Sequence, residues 1–283
     1  MIPFTFEGYN KLMEEINCLP SSSFPFQWKT GIKKEDFSSI VQESWHYKGD
    51  FLVDNGSVLI YRKSPTSSIH EQAEKAIDVS IVRFNTLLSQ DDSYPVDSTG
   101  QSSVIVNNCY YTVDGSWMVS RRLCNIPSVI LEHSYSSDLR ITHIKVLNIL
   151  ENINIKCGIL FDTERMDDNS FALIAYTIRK DENDNIFIPN VFSFGNATPS
   201  ANTINFINSL NPNNLVGIGL SNNLDGCTLP NLQMYELIIN HQDLLSGWIG
   251  NGNINQNIII DDCKIDLYKV RTKIMNMRNM SFC

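Results

Sequence analysis

Three apolar segments follow one another between residues 128 and 162, and they restrict the chain to folds with a buried sheet. Ser128-Val129-Ile130-Leu131-Glu132 is an apolar run ending in an acid, as a buried strand would use. Asp138 to about Asn152 reads as an amphipathic helix, with Ile144, Leu147 and Leu150 at three-residue steps. Cys157-Gly158-Ile159-Leu160-Phe161-Asp162 is a second buried strand, and Phe171 to Ile178 another. Asp181 to Asp184 then reads as a charged hinge.

Upstream, residues 1–44 read as an irregular lead-in, with a short helix at Tyr9 to Ile16 broken by Pro20, Ser21-Ser22-Ser23 and Pro25. Residues 45–63 read as two strands joined at Asp54-Asn55-Gly56, a strong hairpin signal. In Ile69 to Leu88, Ala73, Ala76, Ile77, Ile81, Phe84 and Leu88 recur at helical spacing. Residues 89–102 read as a polar loop. Downstream of 180 the pattern weakens. Ile186-Phe187-Ile188 and Leu215-Val216-Gly217-Ile218-Gly219 suggest strands, and Lys264 to Met280 suggests a terminal packed helix.

The chain has 283 residues, 42% hydrophobic and 19% charged, enough to bury a core without disulfides or metals. Its net charge of −9 argues against a general nucleic-acid coat protein, which needs a basic surface. It leaves room for a nuclease, whose metal-holding carboxylates make a site negative. No stretch approaches about 18 consecutive apolar residues, so no membrane span is expected. Met1 to Glu7 lacks a secretory pattern, and the 7 scattered cysteines include no CxxC. We therefore expect reduced core cysteines and an intracellular protein, cytoplasmic or nuclear.

Residues 112–162 hold the chemistry. Asp114 stands at the start of a strand, Glu132 ends another, and Lys145 lies in the helix that follows. Carboxylates at the ends of neighbouring strands can converge on a hard divalent cation such as Mg²⁺ or Mn²⁺. Such an ion lowers the pKa of bound water and stabilises charge on a phosphodiester. A lysine can orient the water or offset phosphate charge. By themselves, an Asp beside a glycine is ordinarily a turn residue and a strand-end Glu ordinarily solvated. No P-loop, dinucleotide, nucleophile-elbow or HExxH motif is present.

Four features in order resemble the Uma-type restriction endonuclease domain, a branch of the PD-(D/E)xK nuclease superfamily. They are the hairpin Asp54-Asn55-Gly56-Ser57-Val58-Leu59-Ile60; the helix start Ser64-Pro65-Thr66-Ser67-Ser68-Ile69-His70-Glu71; Val113-Asp114; and Pro127-Ser128-Val129-Ile130-Leu131-Glu132-His133-Ser134 with Lys145 and Phe161-Asp162. The resemblance covers residues 45–180. It implies an α/β (α+β) fold of restriction-endonuclease type, a central mixed β-sheet flanked by helices. Residues 181–283 would then be an additional, β-rich C-terminal segment of unknown role. The resemblance also implies Asp114, Glu132 and Lys145 as catalytic residues, with Asp114 and Glu132 holding Mg²⁺ or Mn²⁺. His70 would touch substrate. Read from the residues alone, Arg121 and Arg122 are a basic pair that could contact a phosphate backbone, where an exposed solvated pair is the ordinary reading. The partner would be nucleic acid, DNA ahead of RNA, and by analogy of fold the chain would form a homodimer.

Three positions depart from that pattern. Val113 replaces a proline, Ser128 replaces an acid, and Ser134 stands where the superfamily usually has its lysine. They motivate a rival reading, a catalytically inactive module that keeps the fold for binding or interaction. A hydrolase with a cysteine nucleophile is a third. Glu71 and Glu74 could add a carboxylate to the site. His133 should point to the face opposite Glu132, and His143 shares no helix face with Lys145.

Overall fold

In a computed structural model of the chain, the described residues are 26–28, 49–54, 57–62, 68–88, 95–100, 102–107, 109–120, 126–135, 139–166, 170–221, 226–247 and 260–280. The early strands are β1 (Phe26–Trp28), β2 (Gly49–Asp54), β3 (Ser57–Arg62), β4 (Val96–Ser98), β5 (Ser102–Val106), β6 (Cys109–Val113) and β7 (Gly115–Val119). They are followed by β8 (Val129–Tyr135), β9 (Cys157–Arg165), β10 (Phe171–Lys180), β11 (Ile186–Phe187), β12 (Asn190–Ser193), β13 (Asn214–Gly217), β14 (Glu236–Ile239) and β15 (Cys263–Asp266). The α-helices are α1 (Ser68–Leu88), α2 (Leu139–Leu150), α3 (Ala201–Ser209), α4 (His241–Leu244) and α5 (Leu267–Met280).

The chain divides into two compact units. One comprises Met1–Ser67 with Ser103–Thr112. It holds an antiparallel sheet in the order β1-β3-β2. The hairpin pairs β2 with β3 down to Asp54↔Ser57, the register that a two-residue Asn55-Gly56 turn dictates. The expected helix at 9–16 lies outside the described residues.

The second unit, Ser68–Ser102 with Val113–Cys283, is a mixed α/β body around one large sheet. Its strands run β13-β12-β10-β9-β8-β7-β4, with β11 added to β10. The β8–β9 and β12–β13 pairs are parallel and the others antiparallel. The expected strand–helix–strand run from 128 to 162 is thus a parallel crossover, β8-α2-β9. Residues beyond 180 add β12 and β13 to this sheet, and among the described residues that C-terminal segment carries three α-helices besides its short strands.

Side-chain alternation separates the two faces. Leu131, Ile159, Phe161 and Leu173 pack with Ala73, Ile77, Ile81 and Phe84 of α1 and with Val270 and Ile274 of α5. On the opposite face Val146 of α2 lies against Gly158 and Ile130. Further ties join the C-terminal segment to the sheet. Ser128 Oγ donates to the Leu244 carbonyl at 3.1 Å, and Arg179 Nε pairs with Asp243 Oδ2 at 2.6 Å.

Two expectations need correction. The polar loop at 89–102 contains β4, which pairs with β7. Buried Asn85 explains it: its amide donates to the Val96 carbonyl at 2.7 Å and its oxygen accepts the Val96 N–H at 3.2 Å, as a neighbouring strand would. No turn begins at Ser134, because β8 continues through Ser134 and Tyr135, paired with Asp162 and Thr163 of β9.

Gly158 lets α2 approach the sheet, since a Cβ there would overlap Val146 Cγ1. Valine is stiff at χ1 in a helix, so it cannot simply swing away. We expect Gly158→Ala to destabilise the protein by about 1–3 kcal/mol. Adding Val146→Ala should recover part of that loss. Equal destabilisation with and without Val146→Ala, by denaturant titration, would contradict the contact.

Candidate functional site

The site is built where the start of β7 meets the middle of β8. Gly115 pairs with Leu131, so the residues just outside that pair, Asp114 and Glu132, are brought together from distant points in the sequence. The Asp114 N–H donates to the Leu131 carbonyl at 3.0 Å, and Asp114 Oδ2 accepts the His133 N–H at 2.9 Å. Asp114 is 5% exposed and Glu132 4%, so both carboxylates are withdrawn from bulk water.

Glu132 points to the α2 face. There Lys145 Nζ lies 2.9 Å from Glu132 Oε1, and the two side chains are 12% and 5% exposed. A buried carboxylate is costly unless paired, and this pairing ties the middle of α2 to β8. Of the three residues singled out in sequence, Glu132 and Lys145 form an ion pair, and Asp114 stands on the neighbouring strand, bonded to the His133 N–H. His70 lies in the first turn of α1; its side chain, and Arg121 and Arg122, lie outside the described residues.

Of the two glutamates on α1, Glu71 pairs with Lys75 in solvent at 3.3 Å. Glu74 is drawn inward. Its Cγ lies 3.4 Å from where a Cβ on Gly115 would stand. Its carboxyl pKa is raised, first by burial, then by the charges of Asp78, Asp114 and Glu71. Asp78 itself accepts from Trp117 Nε1 at 2.8 Å.

A buried polar chain continues from Glu132 along the α2 face. Ser134 Oγ donates to Asp162 Oδ1 on the neighbouring strand. Asp162 is close enough for its charge to add to the burial that raises the Tyr176 pKa. The Tyr176 hydroxyl lies 3.1 Å from His143 Nδ1 on α2. Sequence reading named Ser134 and Asp162 only within motifs and gave His143 no role. The signal available was period two: Glu132 and Ser134 share a face of β8, and Asp162 pairs with Ser134. His133 takes the other face as expected, with its Nε2 2.9 Å from Thr163 Oγ1.

A cysteine nucleophile finds no support among the described side chains. Cys157, Cys227 and Cys263 are buried and free. Burial pushes the Cys227 and Cys263 thiols up to about 12 and Cys157 higher still. A thiol held protonated is a poor nucleophile.

Among the described residues no group of three or more His, Cys, Asp or Glu side chains is arranged to hold an ion. Two buried carboxylates are nevertheless a fitting set for Mg²⁺, which keeps several waters and commonly takes one or two carboxylates plus substrate phosphate. Among the same residues no helix is long and apolar enough to cross a membrane.

No protein-family model matches this chain, and no curated protein matches it. Among solved structures, one similar chain is described as "a putative nuclease belonging to DUF820 from Anabaena variabilis ATCC 29413". The two share 11% identity at a TM-score of 0.36, over 54% of this chain and 80% of that one. A likeness this loose fixes neither fold nor function.

Two outcomes follow from the buried groups. Lys145→Met should cost about 3–5 kcal/mol, because Glu132 is left charged and uncompensated. Glu132→Gln in the same chain should restore most of it; a double variant no more stable than Lys145→Met would show that the pair is not the cause. His143 supplies the second. Burial lowers its pKa from 6.5 to about 4. The unfolded chain therefore binds one more proton than the folded chain between those values. Stability should be full above pH 6.5 and fall as pH drops toward 4. In His143→Asn that acid slope should flatten, read as melting temperature against pH.

Proposed function

We propose that this chain is a metal-dependent nuclease that hydrolyses phosphodiester bonds in nucleic acid, with DNA ahead of RNA as substrate. The reading joins the motif resemblance to the Uma-type domain with one observation. Glu132 and Lys145, distant in sequence, form a buried ion pair at 2.9 Å, and buried Asp114 on the neighbouring strand accepts the N–H of His133, the residue after Glu132. Asp114 and Glu132 are the residues that would hold Mg²⁺ or Mn²⁺. When bound, such an ion would lower the pKa of water and stabilise charge on the phosphate.

The chain's own groups do the rest. The His133 N–H fixes one Asp114 oxygen, so that carboxylate is oriented before substrate arrives. Lys145 neutralises part of the negative charge at Glu132, which lets an anionic phosphate come near two acids. In the hydrolysis a water oxygen adds to phosphorus, the bond to the leaving oxygen breaks, and a proton passes to that oxygen. Glu74, with its raised pKa, is a half-buried acid close to Asp114 and suited to proton transfer. A homodimer is part of the same proposal.

A second reading has its own observation. Glu132 is already matched by Lys145, and the described residues contain no three-ligand group. A module that kept the fold and lost the chemistry would look alike in these respects.

The decisive assay is cleavage of plasmid, single-stranded DNA and RNA with Mg²⁺ or Mn²⁺ against EDTA. We expect metal-dependent cleavage, lowered on the order of 10²–10³-fold in Asp114→Asn and in Glu132→Gln. A metal-induced rise in melting temperature should accompany it and shrink in both variants. If the parent neither cleaves nor is stabilised by metal, the inactive module is the correct reading.

A further inference from the structure

A cleft of about 410 Å³ opens where α1 passes α5 and the β14–β15 pair. It falls within the size range of sites for small organic ligands, roughly 300–1,000 Å³. Four cations line it, and two are committed: Lys264 pairs with Glu236 and Lys269 with Asp266, each at 3.3 Å. The other two, Arg83 of α1 and Lys273 of α5, make no ion pair among the described residues. Tyr268, half-buried and packed in part against the core, also lines the cleft. In a chain of net charge −9, two uncommitted cations facing one cleft make a local exception.

We propose that this cleft binds the phosphate of a nucleotide unit. The guanidinium fork of Arg83 and the ammonium of Lys273 match phosphate oxygens, and the Tyr268 ring offers a stacking surface for a base. The paired acids Glu236 and Asp266 have their charge offset by Lys264 and Lys269, which leaves the cleft net positive. Arg83 and Glu74 stand about two and a half turns apart on α1, and so on opposite sides of the helix. The cleft is therefore separate from the Asp114 and Glu132 cluster, and it does not depend on catalysis there. The phosphate can come from a polynucleotide backbone or from a free nucleotide.

The test is equilibrium binding in EDTA, where no metal-dependent cleavage can run. The full chain is titrated against a fluorescein-labelled DNA strand by anisotropy, and against AMP by calorimetry. The Arg83→Ala/Lys273→Ala variant should bind on the order of tenfold more weakly. For the strand, its slope of log affinity against log salt should fall by roughly 1.4, about 0.7 for each lost phosphate contact. Lys156→Ala, outside the cleft, should bind like the parent. Loss of strand binding alone assigns the phosphate to a polynucleotide, and loss of AMP binding assigns it to a free nucleotide. The inference is wrong if the parent binds neither, if the double variant binds as the parent does, or if Lys156→Ala weakens binding equally. A parent that binds here but never cleaves with Mg²⁺ leaves the cleft standing and removes the hydrolytic reading.

Discussion

The ion pair between Glu132 and Lys145 is the constraint around which the centre of the second unit is arranged. A carboxylate 4% exposed in the middle of a sheet strand is tolerable only with a charge beside it. The lysine comes from α2, so the helix must sit at a fixed height and rotation over β8 and β9. Gly158 permits that approach, and Val146, the residue after Lys145, fills the space where a Cβ would be. The crossover β8-α2-β9 then follows from chain economy, because a parallel pair needs a connection of this length.

The same alternation that separates the apolar face from the α2 face decides which polar groups can act together. Leu131 and His133 turn toward the α1 side, while Glu132 and Ser134 turn toward α2. Once Glu132 was placed there, Ser134, Asp162, Tyr176 and His143 could be buried with partners instead of costing their full desolvation. Low dielectric strengthens such a chain when it is satisfied and penalises it when it is broken. Burial alone keeps His143, unremarkable in sequence, neutral well below its ordinary range.

The strong periodic segments were legible from sequence, and for a clear reason. α1, α2, β8, β9 and β10 bury apolar residues at the spacing their backbones impose, whereas the mixed sheet flanked by helices was what the motif resemblance implied. β4 was not legible, because its three residues alternate poorly and are held by the side chain of Asn85, a contact that spans a loop. The end of β8 was missed for a related reason. Ser134 reads as a turn residue until its partner Asp162 is known. Of the candidate site, Asp114, Glu132 and Lys145 could be singled out as acids at strand ends and a helical lysine. The inward turn of Glu74 could not, because it depends on the missing side chain at Gly115. The uncommitted pair Arg83 and Lys273 needs α1 and α5 side by side, which no local pattern reveals.

Charge bookkeeping links the two proposed sites. An acidic chain repels phosphate at long range, so any nucleic-acid partner must be captured by cations that are free to serve it. Lys145 is not free, since its charge is largely spent on Glu132. Lys75, Lys264 and Lys269 are likewise matched to neighbouring acids. A nuclease built only from Asp114, Glu132 and Lys145 would have chemistry but little hold on its substrate. Arg83 and Lys273 carry unspent charge on the far side of α1, where it can contribute affinity without neutralising the carboxylates that a metal would need.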